Sequence, residues 1–367
     1  MALDAGERMA RLALARSGGI GPMRFQELLA ECGSASAALA QLPGLMQRAR
    51  LKTRKVATAA EAQREVAALE QLGGQMIVWG DKAYPPQLAE IRDPPPAIAV
   101  IGHAELLSGP MIAIVGARNA SAAARRWTED LARELGEKDF IVVSGMARGI
   151  DAAAHTGSLP TGTVAVLAGG IDHIYPPENE ALYGELKTDG AIVTEQPLGL
   201  TPRSGHFPRR NRLVAGLAQG VIVVEATRKS GALITARLAA EEGREVFAVP
   251  GSPRDPRARG PNHLIRQGAI LTEGIDDIVE ALARPEPRRI RLDAGDETTH
   301  ETGPIDQDST PADTARRILD CLSTTPVEVD EIVRRCQVTA ADAQTMLLEL
   351  ELEGRIERHP GNKISLA

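Results

Sequence analysis

Four short stretches hold the residue types from which an anion site is made: Gly116-Ala117-Arg118, Ser144-Gly145-Met146-Ala147-Arg148-Gly149, Ala168-Gly169-Gly170 and Arg228-Lys229-Ser230-Gly231-Ala232. Glycine lets backbone amides come close to a ligand, and helix N-termini and guanidinium groups add positive charge. The chemistry on offer is phosphate binding. Tight turns alone would account for the glycines but not for Arg118, Arg148 and Lys229. A fifth stretch, Phe207-Pro208-Arg209-Arg210-Asn211-Arg212, sets an aromatic ring beside three arginines and an asparagine, within a window from Glu195 to Glu225 that contains no other acid. Cations for a sugar-phosphate chain and a ring for an unpaired base are the two parts of single-strand binding. Phe207 also fits a hydrophobic staple at the start of its helix.

Other chemistries find less support. The dinucleotide fingerprint needs three glycines at fixed spacing, and here Gly116 is followed by Arg118 and Ser121. No GxxxxGK[ST] motif surrounds Lys229-Ser230, so ATP hydrolysis lacks its apparatus. Asp151 and His155 are four apart, and Glu195 and Glu225 follow apolar runs, but local capping and core packing explain them more simply than acid–base catalysis. Cys32, Cys321 and Cys336 fit no metal-ligand spacing and no disulfide framework, which points to a reducing cytoplasm. We expect no catalytic residue, no metal and no cofactor.

The loops need a scaffold, and the apolar pattern describes one. Met111–Val115 is a short uncharged run that stops at Gly116, followed by Ser121 as an N-cap and a helical pattern over Ala122–Leu135. Strand patterns recur at Phe140–Val143, Thr163–Leu167, Ala191–Val193, Gly220–Val224, Glu245–Val249 and Ala269–Leu271. Helical patterns lie between most of them, at Asn179–Leu186, Arg209–Ala218 and Leu233–Glu242. This βα alternation predicts an α/β fold with a Rossmann-like, doubly wound, mainly parallel sheet over residues 76–284, with Ala97–Ile101 as an edge strand. The anion-binding loops would then converge on one rim.

Residues 1–72 read as helical, over Arg8–Arg16, Phe25–Glu31 and Glu61–Leu72, with a Gly-Ile-Gly-Pro hairpin resembling SAM-like and helix-hairpin-helix modules. The basic run Arg48, Arg50, Lys52, Arg54, Lys55 reads as a solvated face. Residues 285–311 lack large apolar side chains and read as a flexible linker. Residues 312–367 read as a winged helix whose presumed recognition helix holds Asp342, Glu349, Glu351 and Glu353 and no Lys or Arg, so docking or regulation fits better than base readout. The 367 residues are 43% hydrophobic with a formal net charge of −7, and no apolar run approaches the ~18 residues of a membrane span. We expect a cytoplasmic protein without a membrane partner.

The central motifs, taken in order, resemble the DNA-processing protein A (DprA, or Smf) family. They are Tyr84-Pro85…Leu88…Ile91-Arg92-Asp93-Pro94-Pro95, Ile114-Val115-Gly116-Ala117-Arg118, Val143–Asp151 with His155, Gly170-Ile171-Asp172…Tyr175-Pro176…Asn179, His206–Arg212, Ser230–Thr235 and Val249-Pro250-Gly251. The resemblance implies a non-enzymatic protein that binds single-stranded DNA in a basic pocket of its Rossmann-like domain. It also implies a homodimer formed through that domain, protection of incoming strands in natural transformation, and loading of RecA recombinase. It further implies that Gly116, Ala117 and Arg118 grip phosphate, and that Phe207 and Arg209–Arg212 contact the strand. Ala117 replaces a serine found in some relatives, and Ala124 a frequent glycine. The DNA-binding set is therefore Gly116, Ala117, Arg118, Ser144, Gly145, Arg148, Phe207, Arg209, Arg210, Asn211, Arg212, Lys229, Ser230 and Gly231. A nucleotide-processing, phosphoribohydrolase-like enzyme is the competing reading.

Overall fold

The computed structural model describes residues 3–48, 55–284, 311–322, 326–336, 338–353, 355–359 and 362–366. Residues 285–310 of the predicted linker and most of the basic run at 48–55 lie outside the described residues, and Pro311 at the linker's end already opens a helix; of the basic run, Lys55 is exposed and pairs with Glu61. The chain divides into two compact units, one of Met1–Ala113, Asp139–Met146 and Leu159–Gln219, the other of Ile114–Lys138, Ala147–Ser158 and Gly220–Ala367.

The first unit begins with helices α1 (Ala5–Arg16), α2 (Pro22–Cys32), α3 (Ala35–Arg48) and α4 (Ala59–Gln71). Local chemistry sets their ends: Asp4 accepts the Glu7 amide at α1, Pro22 opens α2, and a reciprocal Thr58–Glu61 capping box opens α4. Helix α3 escapes the sequence reading because Pro43-Gly44 looks like a break. Its Ala35, Ala38 and Leu42 are held in one core with Phe25 and Leu28.

The strands are β1 (Gly74–Val78), β2 (Ala97–Gly102), β3 (Met111–Val115), β4 (Ile141–Ser144), β5 (Thr163–Val166), β6 (Ala191–Thr194), β7 (Gly220–Val223), β8 (Glu245–Ala248) and β9 (Ile270–Leu271). Their order in the first unit is β1-β2-β6-β5-β4-β3, with β3 to β6 parallel and β1 and β2 antiparallel to their neighbours. Residues 97–101 are thus not the edge: β1 lies outside β2, with Met76 opposite Ala99. Leu12, Leu69, Met76, Ala99 and Ile192 share one core, so α1 and α4 cover this end of the sheet. A short helix, α5 (Pro86–Ala89), follows β1.

In the second unit β7, β8 and β9 are parallel neighbours, and the Val224 amide donates to Val115 O at 3.2 Å. Helices α6 (Ala122–Glu137) and α7 (Ile150–Ser158) belong to this unit. Helices α8 (Glu180–Asp189) and α9 (His206–Leu217) belong to the first, and α10 (Gly231–Glu241), α11 (Arg259–Arg266) and α12 (Ile275–Leu282) to the second. The strands of β3 to β8 are buried throughout, as a sheet covered on both faces requires.

The second unit ends in the winged helix, α13 (Pro311–Cys321), α14 (Val329–Cys336) and α15 (Ala340–Leu352), with strands β10 (Val327–Glu328), β11 (Ile356–His359) and β12 (Lys363–Leu366) in the order β10-β12-β11. Strand β10 was not legible in the sequence, being only two residues long. The winged-helix core of Ile318, Leu322, Ile332, Leu347 and Ile364 closes over Ala122 at the start of α6.

Candidate nucleic-acid interface

In the first unit the arginine-rich stretch opens α9, and most of it faces inward. Arg210 is 7% exposed; one of its terminal nitrogens donates to Gly145 O and, at 2.6 Å, to Val166 O, while its Nε donates to Asn211 Oδ1 at 3.2 Å. A Cβ on Gly145 would lie 2.5 to 2.6 Å from the Arg210 guanidinium. Glycine is therefore needed there to admit Arg210, and Ser144 beside it is fully buried.

Arg212 donates to Asp93 O at 2.6 Å, approaches Asp93 Oδ2 at 3.4 Å and forms an ion pair with Glu195. Burial, with Asp93 nearby, raises the Glu195 carboxyl above its usual range despite that pair. The segments Tyr84-Pro85-Pro86 and Asp93-Pro94-Pro95-Pro96 meet here: the Tyr84 hydroxyl donates to Pro95 O at 2.8 Å and so fixes the loop whose carbonyl Arg212 uses. Arg210, Asn211 and Arg212 consequently act as internal braces in this structure, where the sequence reading has them as strand contacts. The reason is that the ends of β4 and β5 and the 93–96 loop leave carbonyls to satisfy away from water. Arg209 and Arg203 do face solvent.

Phe207 is likewise mostly buried, at 8% exposure. Tyr175, 36% exposed, packs on it with ring centroids 5.4 Å apart and planes inclined by 55°. Tyr175 thus offers a ring to solvent where Phe207 does not. In the sequence Tyr175 stands within a motif, and its signal is that of an aromatic in a chain with three tyrosines. Gly145, Gly169, His173, Tyr175, Pro202 and Arg210 line one small cleft. The Gly170 amide is already engaged by Leu200 O at 2.8 Å, and Asp172 receives the Gly199 amide at 2.9 Å, so the 168–170 loop holds the 199–202 segment instead of an anion.

In the second unit the Gly116–Arg118 turn and the Arg148–Gly149 turn are stacked backbone to backbone. The Ile150 amide donates to Ala117 O at 3.2 Å, and Gly149 has φ +79°, where a Cβ would come within 2.3 Å of Ala117 O. Arg148 and Lys229 are exposed and Arg118 half-buried, while Ser230 caps α10 through its hydroxyl, which accepts the Ala232 amide. Asp151 accepts the Ala147 amide at 3.3 Å and His155 is fully buried, in keeping with structural roles for both.

An acid stands beside the Arg118 turn. Glu225, just beyond β7, accepts from the Ser121 amide at 2.8 Å and the Ser121 hydroxyl at 2.7 Å, at the N-terminus of α6. Its charge complements the positive end of that helix, which Arg118 only just precedes. Among the described residues no group of three or more His, Cys, Asp or Glu is placed to hold a metal ion, and no helix is long and apolar enough to cross a membrane.

Comparison with known proteins decides the family. The model of DNA recombination-mediator protein A matches residues 75–283, flanked by a DprA-like N-terminal HHH domain at 5–68 and a DprA winged-helix domain at 304–362. The chain belongs to the DNA recombination-mediator protein A family. Protein Smf of Synechocystis is 36% identical over 318 residues, 80% of each chain, and DNA processing protein DprA of Bacillus subtilis is 44% identical over 222 residues, 60% of this chain and 75% of that one. The X-ray structure of DNA processing protein A from Streptococcus pneumoniae superposes with a TM-score of 0.63 at 31% identity, covering 76% of this chain and 98% of that one. The family member from Helicobacter pylori, described for its single-stranded DNA binding mode, gives 0.52 at 31% identity over 57% of this chain and 95% of that one.

Proposed function

We propose that this chain is a single-stranded DNA-binding recombination mediator without catalytic turnover. Its second unit holds the sugar-phosphate backbone with Arg118, Arg148 and Lys229, while the first unit presents Arg209 to phosphate and Tyr175 to a base. The observation that carries this reading is the division of labour among cations. Arg210 and Arg212 are committed to carbonyls and carboxylates within the fold, whereas Arg148, Arg209 and Lys229 stand on the surface. Surface cations on rigid turns grip phosphate without reading sequence. Family membership and the DNA-binding relative from Helicobacter pylori support the same reading.

From the family resemblance the proposal extends to protection of incoming strands in transformation, RecA loading, a homodimer through the Rossmann-like domain, and action in the cytoplasm. Fluorescence anisotropy with single- and double-stranded oligonucleotides tests the binding, with preference for the single strand expected and equal or absent binding contradicting it. Chromatography of nucleoside monophosphates after incubation should show no turnover. Release of free base would favour the phosphoribohydrolase-like alternative.

A further inference from the structure

Two of the three cysteines face each other inside the winged helix. Cys321 closes α13 and Cys336 closes α14, and the Cys336 thiol donates to Cys321 Sγ across 3.1 Å. Both belong to the apolar core of the domain, 6% and 3% exposed, so solvent does not compete for the contact. The surroundings distinguish the two sulfurs. Cys336 has Arg317 O as a second acceptor at 3.5 Å, and the Arg317 guanidinium in turn donates to Cys336 O.

The hydrogen bond from Cys336 is the largest influence on Cys321. It brings that thiol down to about 7 against the effect of burial, with Arg125 and Arg335 helping and Asp320 opposing. Arg125 adds an independent sign of an anion at this place: its Nε is buried with no hydrogen-bond partner among the described residues. As the donor, Cys336 is pushed the other way.

We propose that Cys321 and Cys336 are a reversible dithiol–disulfide site whose oxidant is a small hydroperoxide. The Cys321 thiolate attacks one peroxide oxygen, the O–O bond breaks, and the departing hydroxide takes a proton to become water, leaving a sulfenic acid on Cys321. Cys336 then loses its proton and attacks the Cys321 sulfur; the S–O bond breaks and the hydroxide leaves with that proton as a second water. Two thiols and one hydrogen peroxide become one disulfide and two waters, with two electrons passing from sulfur to the peroxide oxygens. A dithiol reductant reverses the bond by exchange. The bond ties together the ends of two helices that hold the domain to the rest of its unit: Arg257 donates to Asp320 O at 2.8 Å beside Cys321, and Arg126 of α6 donates to Glu331 of α14 at 2.7 Å.

The test treats the full chain with graded hydrogen peroxide, alkylates the remaining thiols and maps peptides by mass spectrometry without reduction. The expected result is loss of two hydrogens from the intact mass and a peptide joining Cys321 to Cys336, while Cys32 remains alkylated; dithiothreitol should restore both thiols. In Cys336→Ser the sulfenic acid on Cys321 should accumulate and be captured by dimedone. Both thiols remaining alkylatable, oxygen added with no hydrogens lost, or a link formed between two chains would each overturn the proposal. Should Cys336→Ser not fold, the peptide map of the unaltered chain decides alone.

Discussion

The start of α9 and the turns around Arg118, Arg148 and Lys229 are alike in composition and unlike in use. Both are rich in cations, and both lie within residues 75–283 that the family model matches. At α9 the cations point into the fold, where Arg210 satisfies two strand-end carbonyls and Arg212 bridges Asp93 and Glu195. In the second unit Gly149 stacks the Arg148 turn on the Arg118 turn, and Arg148 and Lys229 stand at the surface. A cation within a functional motif is therefore not automatically a ligand contact. Unpaired carbonyls beside it claim it first, because a buried acceptor without a donor costs more than an exposed guanidinium gains.

The largest effect should come from breaking the inward set. Arg210→Ala leaves Gly145 O and Val166 O without this donor and should lower unfolding free energy by about 3 kcal/mol or more. Lysine should not rescue it, because one ammonium does not reproduce the guanidinium fork. A denaturant titration checks both. A stable Arg210→Ala that lost only DNA affinity would erase the distinction drawn here. Next in size, Gly149→Ala combines a positive φ with a contact on Ala117 O and should cost about 2–3 kcal/mol, read by the same titration.

A smaller effect is expected at Glu331, a third inward cluster. Burial alone would raise its carboxyl, but hydrogen bonds from Arg335 and Arg126 outweigh that and hold it below the ordinary value. Because the folded form has the lower pKa, the stabilisation is complete above the unfolded value of about 4.3 and is lost as pH falls through the folded one. Thermal melts from neutral pH into the acid range should show this loss. Glu331→Gln should flatten that dependence and cost about 1 kcal/mol at neutral pH, since Arg126 is more than half exposed. The outward set should hardly register in stability: Arg148→Ala and Lys229→Ala are expected within about 0.5 kcal/mol of the parent chain.

How far the sequence carried depends on range. Strands β3 to β9 and most helices were legible because apolar runs and glycine stops are local signals. Helix α3 was hidden by Pro43-Gly44, and β1 because its short run follows α4 so closely. The family was legible from ordered motifs spread along the chain. What could not be read was the direction of each cation, since that depends on carbonyls far away in sequence, such as Val166 O for Arg210 and Asp93 O for Arg212. The pairing of Glu225 with Ser121 could not be read for the same reason, as the two lie 104 residues apart.

The most direct measurement is the salt dependence of oligothymidine binding, followed by fluorescence anisotropy, for the parent chain and for Arg148→Ala combined with Lys229→Ala. Log affinity should fall linearly with log salt, and the double variant should bind more weakly with a slope shallower by about 1.4, or ~0.7 for each phosphate contact removed. An unchanged slope and affinity in the double variant would contradict the account that these surface cations hold the strand.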